Sequence, residues 1–262
     1  MNGRTKVLLL LAIVALLLAV TGCVGRRIRV GKLRTESESV ALGDAEAVRV
    51  EINMGAGELD VAGGADGLLE ADFTYNVAEL KPEVKHSGGT LTVQTPDLEG
   101  RASLWDIDDY RYEWDLRLND DVPMEMSVEV GAGNMDLELG SLALTRLDVD
   151  TGAGNVTVDL SGASFLTRLN IDIGAGSVTV DLTGNWRHDL DADIRGGVGE
   201  LTLRLPRDVG VRVEVEGGLG KVNASGLKKD GDDYVNDAYG ESEVTLRFDI
   251  QGGVGNVNLK LE

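Results

Sequence analysis

Short alternations of apolar and polar residues recur along the chain on either side of glycine-rich corners. The segments INMGAGELDVAGG, VDTGAGNVTVDLSG, IDIGAGSVTVDLTG and IQGGVGNVNLKLE are close copies of one another. Aligned on the last glycine, corners fall at Gly57, Gly133, Gly154, Gly176, Gly199, Gly220 and Gly255, at intervals of 76, 21, 22, 23, 21 and 35 residues. A near-constant spacing of this size is the signature of stacked supersecondary units. Seven and five residues before each last glycine stand Val50/Ile52, Met126/Val128, Leu147/Val149, Leu169/Ile171, Ala192/Ile194, Val213/Val215 and Phe248/Ile250, all apolar. Two and four residues after it stand Leu59/Val61, Met135/Leu137, Val156/Val158, Val178/Val180, Leu201/Leu203, Val222/Ala224 and Val257/Leu259, again all apolar. The residues between them are mostly polar, so each unit reads as two half-buried strands joined at the corner. Glycine suits such a corner because it reaches positive φ and lets neighbouring backbones approach closely.

Two architectures accommodate the pattern. In a right-handed parallel β-helix, a β-solenoid, each unit of 21–23 residues is one coil lying in register on the next, about 4.8 Å away. In an antiparallel β-sandwich each unit is a hairpin. The constant register and period favour the solenoid, and residues 44–262 then make about ten coils, a prism about 50 Å long. The 76-residue interval has room for about three further units, with KHSGGTLTVQT as a degenerate corner at Gly88 and Gly89. The 35-residue interval reads as one unit plus the loop LKKDGDDYVNDAYGES.

The glycine corners do not read as catalytic loops. A phosphate cradle leads into a helix N-terminus, whereas each corner here leads into another strand. Calcium β-rolls repeat every nine residues and place Asp two residues after the last glycine; here Leu201 and Val156 hold that place. The outward rows carry an acidic rail instead. Six residues before the last glycine stand Glu51, Asp148, Asp193, Glu214 and Asp249, with Ser127 and Asn170 completing the row, and four before stand Glu129, Asp150, Asp172 and Glu216. Carboxylates stacked at the layer spacing repel unless countercharge intervenes, so weak multi-site binding of calcium or magnesium is expected if cations supply it; a solvated negative face is the simpler reading. His86 and His188 are isolated in sequence and suggest no triad and no metal centre. The segment SLWDIDDYRYEWDLRLNDDVP gathers Trp105, Tyr110, Tyr112 and Trp114, which either anchor a partner or a sugar ring or cap the end of the stack.

Composition narrows the setting. Aromatics are 4% of the 262 residues while glycine numbers 35, so the core rests on Val, Leu, Ile and Ala. The net charge is −20, yet the first 34 residues carry +7 and the remainder −27. An acidic body repels phosphate backbones and excludes nucleic acid as a partner. Arg4 and Lys6 precede an apolar run from Val7 to Val20, short for a bilayer span and suited to a signal peptide over residues 1–22. Val20, Thr21 and Gly22 precede Cys23, the single cysteine, and this AVTGC stretch resembles a bacterial lipobox with Cys23 as the lipidated residue. Residues 23–43 then form a basic tether in which Arg26, Arg27, Arg29, Lys32 and Arg34 face anionic headgroups. The expected location is extracytoplasmic, on the cell envelope, with a membrane attachment through Cys23.

The stretch from Trp114 to Gly162, with its Trp, Val-Pro and repeated GAG elements, resembles the toastrack family of bacterial envelope proteins, akin to LiaF-type domains of cell-wall-active antibiotic response proteins and to adhesin domains of unknown function. The resemblance covers most of residues 44–262. It implies a right-handed β-helix-like fold with no established enzymatic activity or cofactor. LiaF-type proteins carry several membrane helices before this domain, whereas here one signal-peptide-like segment precedes it. The expected role is non-catalytic binding or scaffolding, adhesin-like, with an unidentified envelope protein or glycan as partner. Self-association is compatible with the architecture. An accessory part in envelope-stress signalling is the second expectation, and a polysaccharide-active enzyme built on paired carboxylates is the third.

Overall fold

The structure is a computed structural model that describes residues 29–96, 109–218 and 220–262. The signal peptide of residues 1–22, with the lipobox Val20, Thr21 and Gly22, lies outside the described residues, as do Cys23 and Trp105.

Five long strands carry the repeat: β2 (Val48–Gly63), β7 (Met124–Glu138), β8 (Leu144–Asp159), β9 (Arg168–Asp181) and β10 (Leu190–Leu205). A sixth, β15 (Thr245–Leu261), closes the series. Each runs through its glycine corner without a break, and neighbours pair parallel and in register, so that Gly57, Gly133, Gly154, Gly176, Gly199 and Gly255 form one column. Parallel pairing between successive copies is the solenoid ladder; the hairpin-per-unit sandwich does not form. Gly154 shows why the column is glycine. Its φ is +148°, and a Cβ there would fall inside the van der Waals envelope of the Gly133 backbone carbonyl in the adjacent layer.

The alternation works as its period requires. On the first arm Val50, Ile52, Met126, Val128, Leu147, Val149, Leu169 and Ile171 are buried, and on the second Leu59, Val61, Leu137, Val156, Val158, Val178 and Val180 join them. The return segments add a third buried edge absent from the arm pattern: Leu139, Leu142 and Leu144, then Leu160, Ala163 and Leu166, then Leu182, Trp186 and Leu190. Their backbones extend the ladder, Leu139 N–H donating to Asp159 O at 2.9 Å and Leu160 N–H to Asp181 O at 2.8 Å.

Both ends of the stack depart from a simple repeat. The 76-residue interval holds no complete coil, because β2 pairs directly with β7. The intervening residues form β3 (Leu69–Tyr75), a 3-10 turn (Ala78–Leu80), β4 (Glu83–Ser87), β5 (Thr90–Gln94) and β6 (Tyr112–Leu118). β5 lies parallel to the first arm of β2 and β6 parallel to its second, making a split layer with no glycine corner. β3 then packs antiparallel on β6, and β1 (Arg34–Val40) antiparallel on β3. Gly88 and Gly89 are not a degenerate corner: with positive φ at both, they turn the antiparallel β4–β5 hairpin. At the other end β11 (Gly210–Glu216) and β12 (Val222–Ser225) form the outermost layer. β13 (Lys228–Asp230) and β14 (Asp233–Val235) cover β11 as a hairpin. β15 inserts between β10 and β11/β12, so the order of layers is not the order of the chain. Along either arm the ladder has eight parallel layers rather than ten. The antiparallel strands beyond them occupy the exposed edges, where unpaired N–H and C=O groups invite aggregation.

Candidate binding surfaces

The outer face of the first arm carries the acidic rail. Across the layers the row six before the last glycine reads Glu51, Ser127, Asp148, Asn170, Asp193, Asp249, Glu214. The row four before reads Asn53, Glu129, Asp150, Asp172, Arg195, Gln251, Glu216. A third row, eight before the glycine, decides the electrostatics: Arg49, Glu125, Arg146, Arg168, Asp191, Arg247, Arg212. Five of its seven members are arginines; Arg146 and Arg212 reach across to Asp148 and Glu214, while Arg49 pairs with Glu125 and Arg247 with Asp189 and Asp191.

Arg146 Nε donates to Asp148 Oδ2 at 2.6 Å and its Nη2 to Oδ1 at 3.1 Å, while Asn170 Nδ2 donates to the same Oδ1 at 2.5 Å. Burial pushes the Asp148 carboxyl up, but these hydrogen bonds and the charges of Arg146 and Arg168 outweigh it and hold the group below the usual aspartate value. Arg195 lies 3.6 Å from Asp172 and 3.7 Å from Asp193. Arg212 binds both Glu214 and Asp233 at 2.7 Å. Fixed guanidinium groups therefore supply countercharge along the rail. Among the described residues no group of three or more His, Cys, Asp or Glu side chains is placed to hold a metal ion. The arginine row was legible in the sequence once the same register was extended two residues outward.

The second arm carries a less compensated feature. Three residues after the last glycine, Asp60 and Asp136 pair in register, and the split end layer and β3 continue the row with Asp115 and Asp72. Beyond Asp136 the row becomes neutral through Thr157, Thr179, Thr202, Asn258 and Asn223. The Asp60 carboxyl sits above the usual value, first because of partial burial and then because Asp136, Asp115, Glu58 and Glu138 surround it with like charge. Asp60 and Asp136 share a corner-relative position and were visible in the sequence; Asp115 and Asp72 were not, because neither β6 nor β3 has a corner to align.

Tyr112 and Trp114 are core rather than surface. Trp114 is 1% exposed and Tyr112 2%. Trp114 meets Phe73 edge-on at 5.6 Å between centroids and Tyr112 at 5.5 Å. Tyr110 is half-buried, stacks on Tyr112 at 6.0 Å, and donates its hydroxyl to Ala56 O at 2.9 Å, covering the corner of β2 where the split layer has none. Burial pushes both tyrosine hydroxyls far above their usual value. Of the two readings of these aromatics, capping and partner anchoring, the burial of Tyr112 and Trp114 on the inward positions of β6 speaks against the anchor for those two, and Tyr110 packs over Tyr112. His86 lies on β4 and His188 in the return before β10, where its ring faces Phe165 at 6.5 Å.

Among the described residues no helix is long and apolar enough to cross a membrane. The sequence profile of the N-terminal domain of toast_rack, DUF2154, matches residues 29–165 and 163–204. A solved structure described as a putative cell adhesion protein from Clostridium sporogenes is 32% identical, with a TM-score of 0.68 over 88% of this chain and 100% of that one. A putative adhesin from Bacteroides fragilis is more distant, at 12% identity and a TM-score of 0.41 over 87% of this chain and 96% of that one. No curated protein matches. A profile match across most of the stack, together with a solved relative over nearly all of it, places the chain in the toast_rack family.

Proposed function

We propose that the chain is an extracytoplasmic envelope protein, held at the membrane by a lipid on Cys23, whose stack serves as a non-catalytic, adhesin-like binding and scaffolding module. The observation that carries this reading is the 32% identity, over 88% of the chain, to a protein described as a putative cell adhesion protein. The geometry supports it. The outward faces are long rows of polar side chains joined layer to layer by hydrogen bonds, as from Asn155 Nδ2 to Asn134 Oδ1 at 3.2 Å and from Asn223 Nδ2 to Asn258 Oδ1 at 2.8 Å. Such faces offer many repeated contacts to an extended partner, the kind of surface on which solenoids bind. The reading takes the coil as right-handed with 21–23 residues per turn, the sense that parallel β crossovers adopt.

Attachment and binding are tested separately. The wild-type chain partitions with membranes after cell fractionation, and Cys23→Ala releases it to the soluble fraction; a variant that stays membrane-bound refutes the lipid anchor. Crosslinking of the full chain in intact envelopes is expected to capture a protein or glycan through outward residues of the stack. Turnover of a glycan by the purified chain, abolished by changing one carboxylate pair, would refute the non-catalytic role.

A further inference from the structure

At one end of the stack β1 is the last strand, paired antiparallel with β3 and, among the described residues, with nothing on its other edge. The register sets Arg34, Glu36, Glu38 and Val40 opposite the buried Tyr75, Phe73, Ala71 and Leu69. Three of the four are charged, on a row that is apolar or aromatic in β3 and β6. Lys81, just past the 3-10 turn, lies 2.6 Å from Glu36 and 3.9 Å from Glu38. Lys32 and Arg34 are exposed, and so are the apolar Val30 and Leu33, at 37% and 60%.

A strand turns the N–H and C=O groups of alternate residues to opposite edges. Val40 C=O accepts from Leu68 N–H, 2.8 Å away on the β3 side. The register is unbroken from Arg34 to Val40, so the even-numbered residues face β3 and Thr35, Ser37 and Ser39 face the open edge. The sequence along this edge, VGKLRTESESV from Val30 to Val40, is its own charge complement about Thr35. Reversed on itself, it sets Val30 against Val40, Lys32 against Glu38 and Arg34 against Glu36.

We propose that β1 pairs antiparallel with β1 of a second copy of this chain, about a two-fold axis at Thr35. Leu33, Thr35 and Ser37 then exchange backbone hydrogen bonds with the partner's Ser37, Thr35 and Leu33. Residues 30–33, exposed and outside any strand, extend β1. Gly31 N–H, which donates to Asn76 O at 2.6 Å, exchanges that bond for one to the partner's Ser39. Lys32 meets the partner's Glu38, and Arg34 the partner's Glu36, at the positions between the hydrogen-bonded pairs, where facing side chains approach most closely. The two-fold axis doubles each contact. Neighbouring registers fail, because like charges directly opposite destabilise. An axis at Glu36 sets it against the partner's Glu36, one at Ser37 sets Glu36 against the partner's Glu38, and one at Arg34 sets it against the partner's Arg34. The net charge of −20 opposes association at a distance, but that repulsion is screened beyond about 8 Å at physiological salt, whereas the facing pairs are in contact. Two joined edges bury little area, so the dimer is weak and concentration-dependent. The proposal stands independently of the adhesin-like reading.

The test uses the full chain, as an equimolar mixture of isotope-labelled and unlabelled protein, with zero-length carbodiimide crosslinking read by mass spectrometry. The Lys81 to Glu36 link, within one chain, is the internal control. Lys32 and Glu38 of one chain stand about 20 Å apart along an extended strand, so a link between them that joins a labelled to an unlabelled peptide is expected from the paired edges. In sedimentation equilibrium Lys32→Glu and Glu38→Lys, each alone, should weaken the dimer by about tenfold or more, because each sets like charges opposite one another. An equimolar mixture of the two variants should restore it, since every facing pair then has opposite signs. Lys32→Glu should leave the thermal midpoint unchanged, and it decides the matter alone if Glu38→Lys does not fold. The control link without the Lys32 to Glu38 link, as when another segment of the chain covers this edge, would overturn the proposal. So would a dimer that persists in Lys32→Glu, or two folded variants that stay apart when mixed.

Discussion

Replacing Gly154 with alanine probes the stack at its tightest point. The φ of +148° lies in a region that L side chains rarely adopt, and holding alanine there costs about 1–3 kcal/mol. The new Cβ would also press on the backbone of Gly133, with the carbonyl carbon 2.8 Å away. Overpacking of this kind costs about 1–3 kcal/mol, and no rotamer change relieves it because the obstacle is main chain in the adjacent layer. The two effects share one relaxation, a widening of the ladder at β7 and β8, so the expected loss is about 2–5 kcal/mol.

Gly55→Ala is the matched control. Its Cβ would meet nothing within 4 Å and its φ is not positive, so it should change stability by less than about 1 kcal/mol, with a gain through the unfolded chain. Urea unfolding of both variants and the wild type, followed by far-ultraviolet circular dichroism, gives midpoints and slopes. Stacked repeats can unfold in stages, so the comparison rests on the first transition and its slope together. A Gly154→Ala midpoint equal to that of Gly55→Ala would refute the claim that the glycine column is fixed by backbone contact between layers.

Two further substitutions test the end of the stack. Asp60→Asn removes one charge from the run Asp72–Asp115–Asp60–Asp136 and should stabilise the chain by about 0.2–1 kcal/mol at neutral pH, the scale of like charges facing each other across strands. Because the folded state raises the Asp60 value, protonation favours folding; the advantage of the variant should be full at neutral pH and fade as pH falls through the carboxylate range. Equal stability of the two proteins in urea at pH 7 would contradict this. Trp114→Ala should cost about 3–5 kcal/mol in the same assay, as for a large aromatic removed from a packed core; a loss below about 1 kcal/mol would mean that the ring is not part of the seal.

The repeat was legible because each interior layer meets the same two neighbours. With identical surroundings above and below, period-two alternation and a corner glycine specify strand, register and buried face, and Ile171 or Val158 could be placed from its distance to a glycine alone. The ends have different neighbours on their two sides, and there the corner signal fails. β6 has the alternation of a second arm but no corner, so the pairing of Trp114 with Leu59 and Phe73 depends on contacts distant in sequence. Gly88 and Gly89 mimic a corner locally, yet a two-residue turn between antiparallel strands uses the same residue for the same reason, access to positive φ. The acidic rail was visible, but its compensation by Arg146, Arg195 and Arg212 needed the neighbouring rows to be read as one surface.

The position of β15 shows where near-identity between repeats erases information. The corners of β10, of the end layer and of β15 read GGVG, GGLG and GGVG, and any order of the three satisfies the same alternation. The structure places the third in sequence between the first two, with Gly199 beside Gly255 and Val257 beside Val222. The 35-residue interval allows this, because β13 and β14 carry the chain away from the end layer and return it to the gap. The last strand is thereby paired on both sides, and Glu262 is tied to the neighbouring coil, its N–H donating to Leu205 O at 2.8 Å and its carboxylate 2.6 Å from Arg204 Nη2.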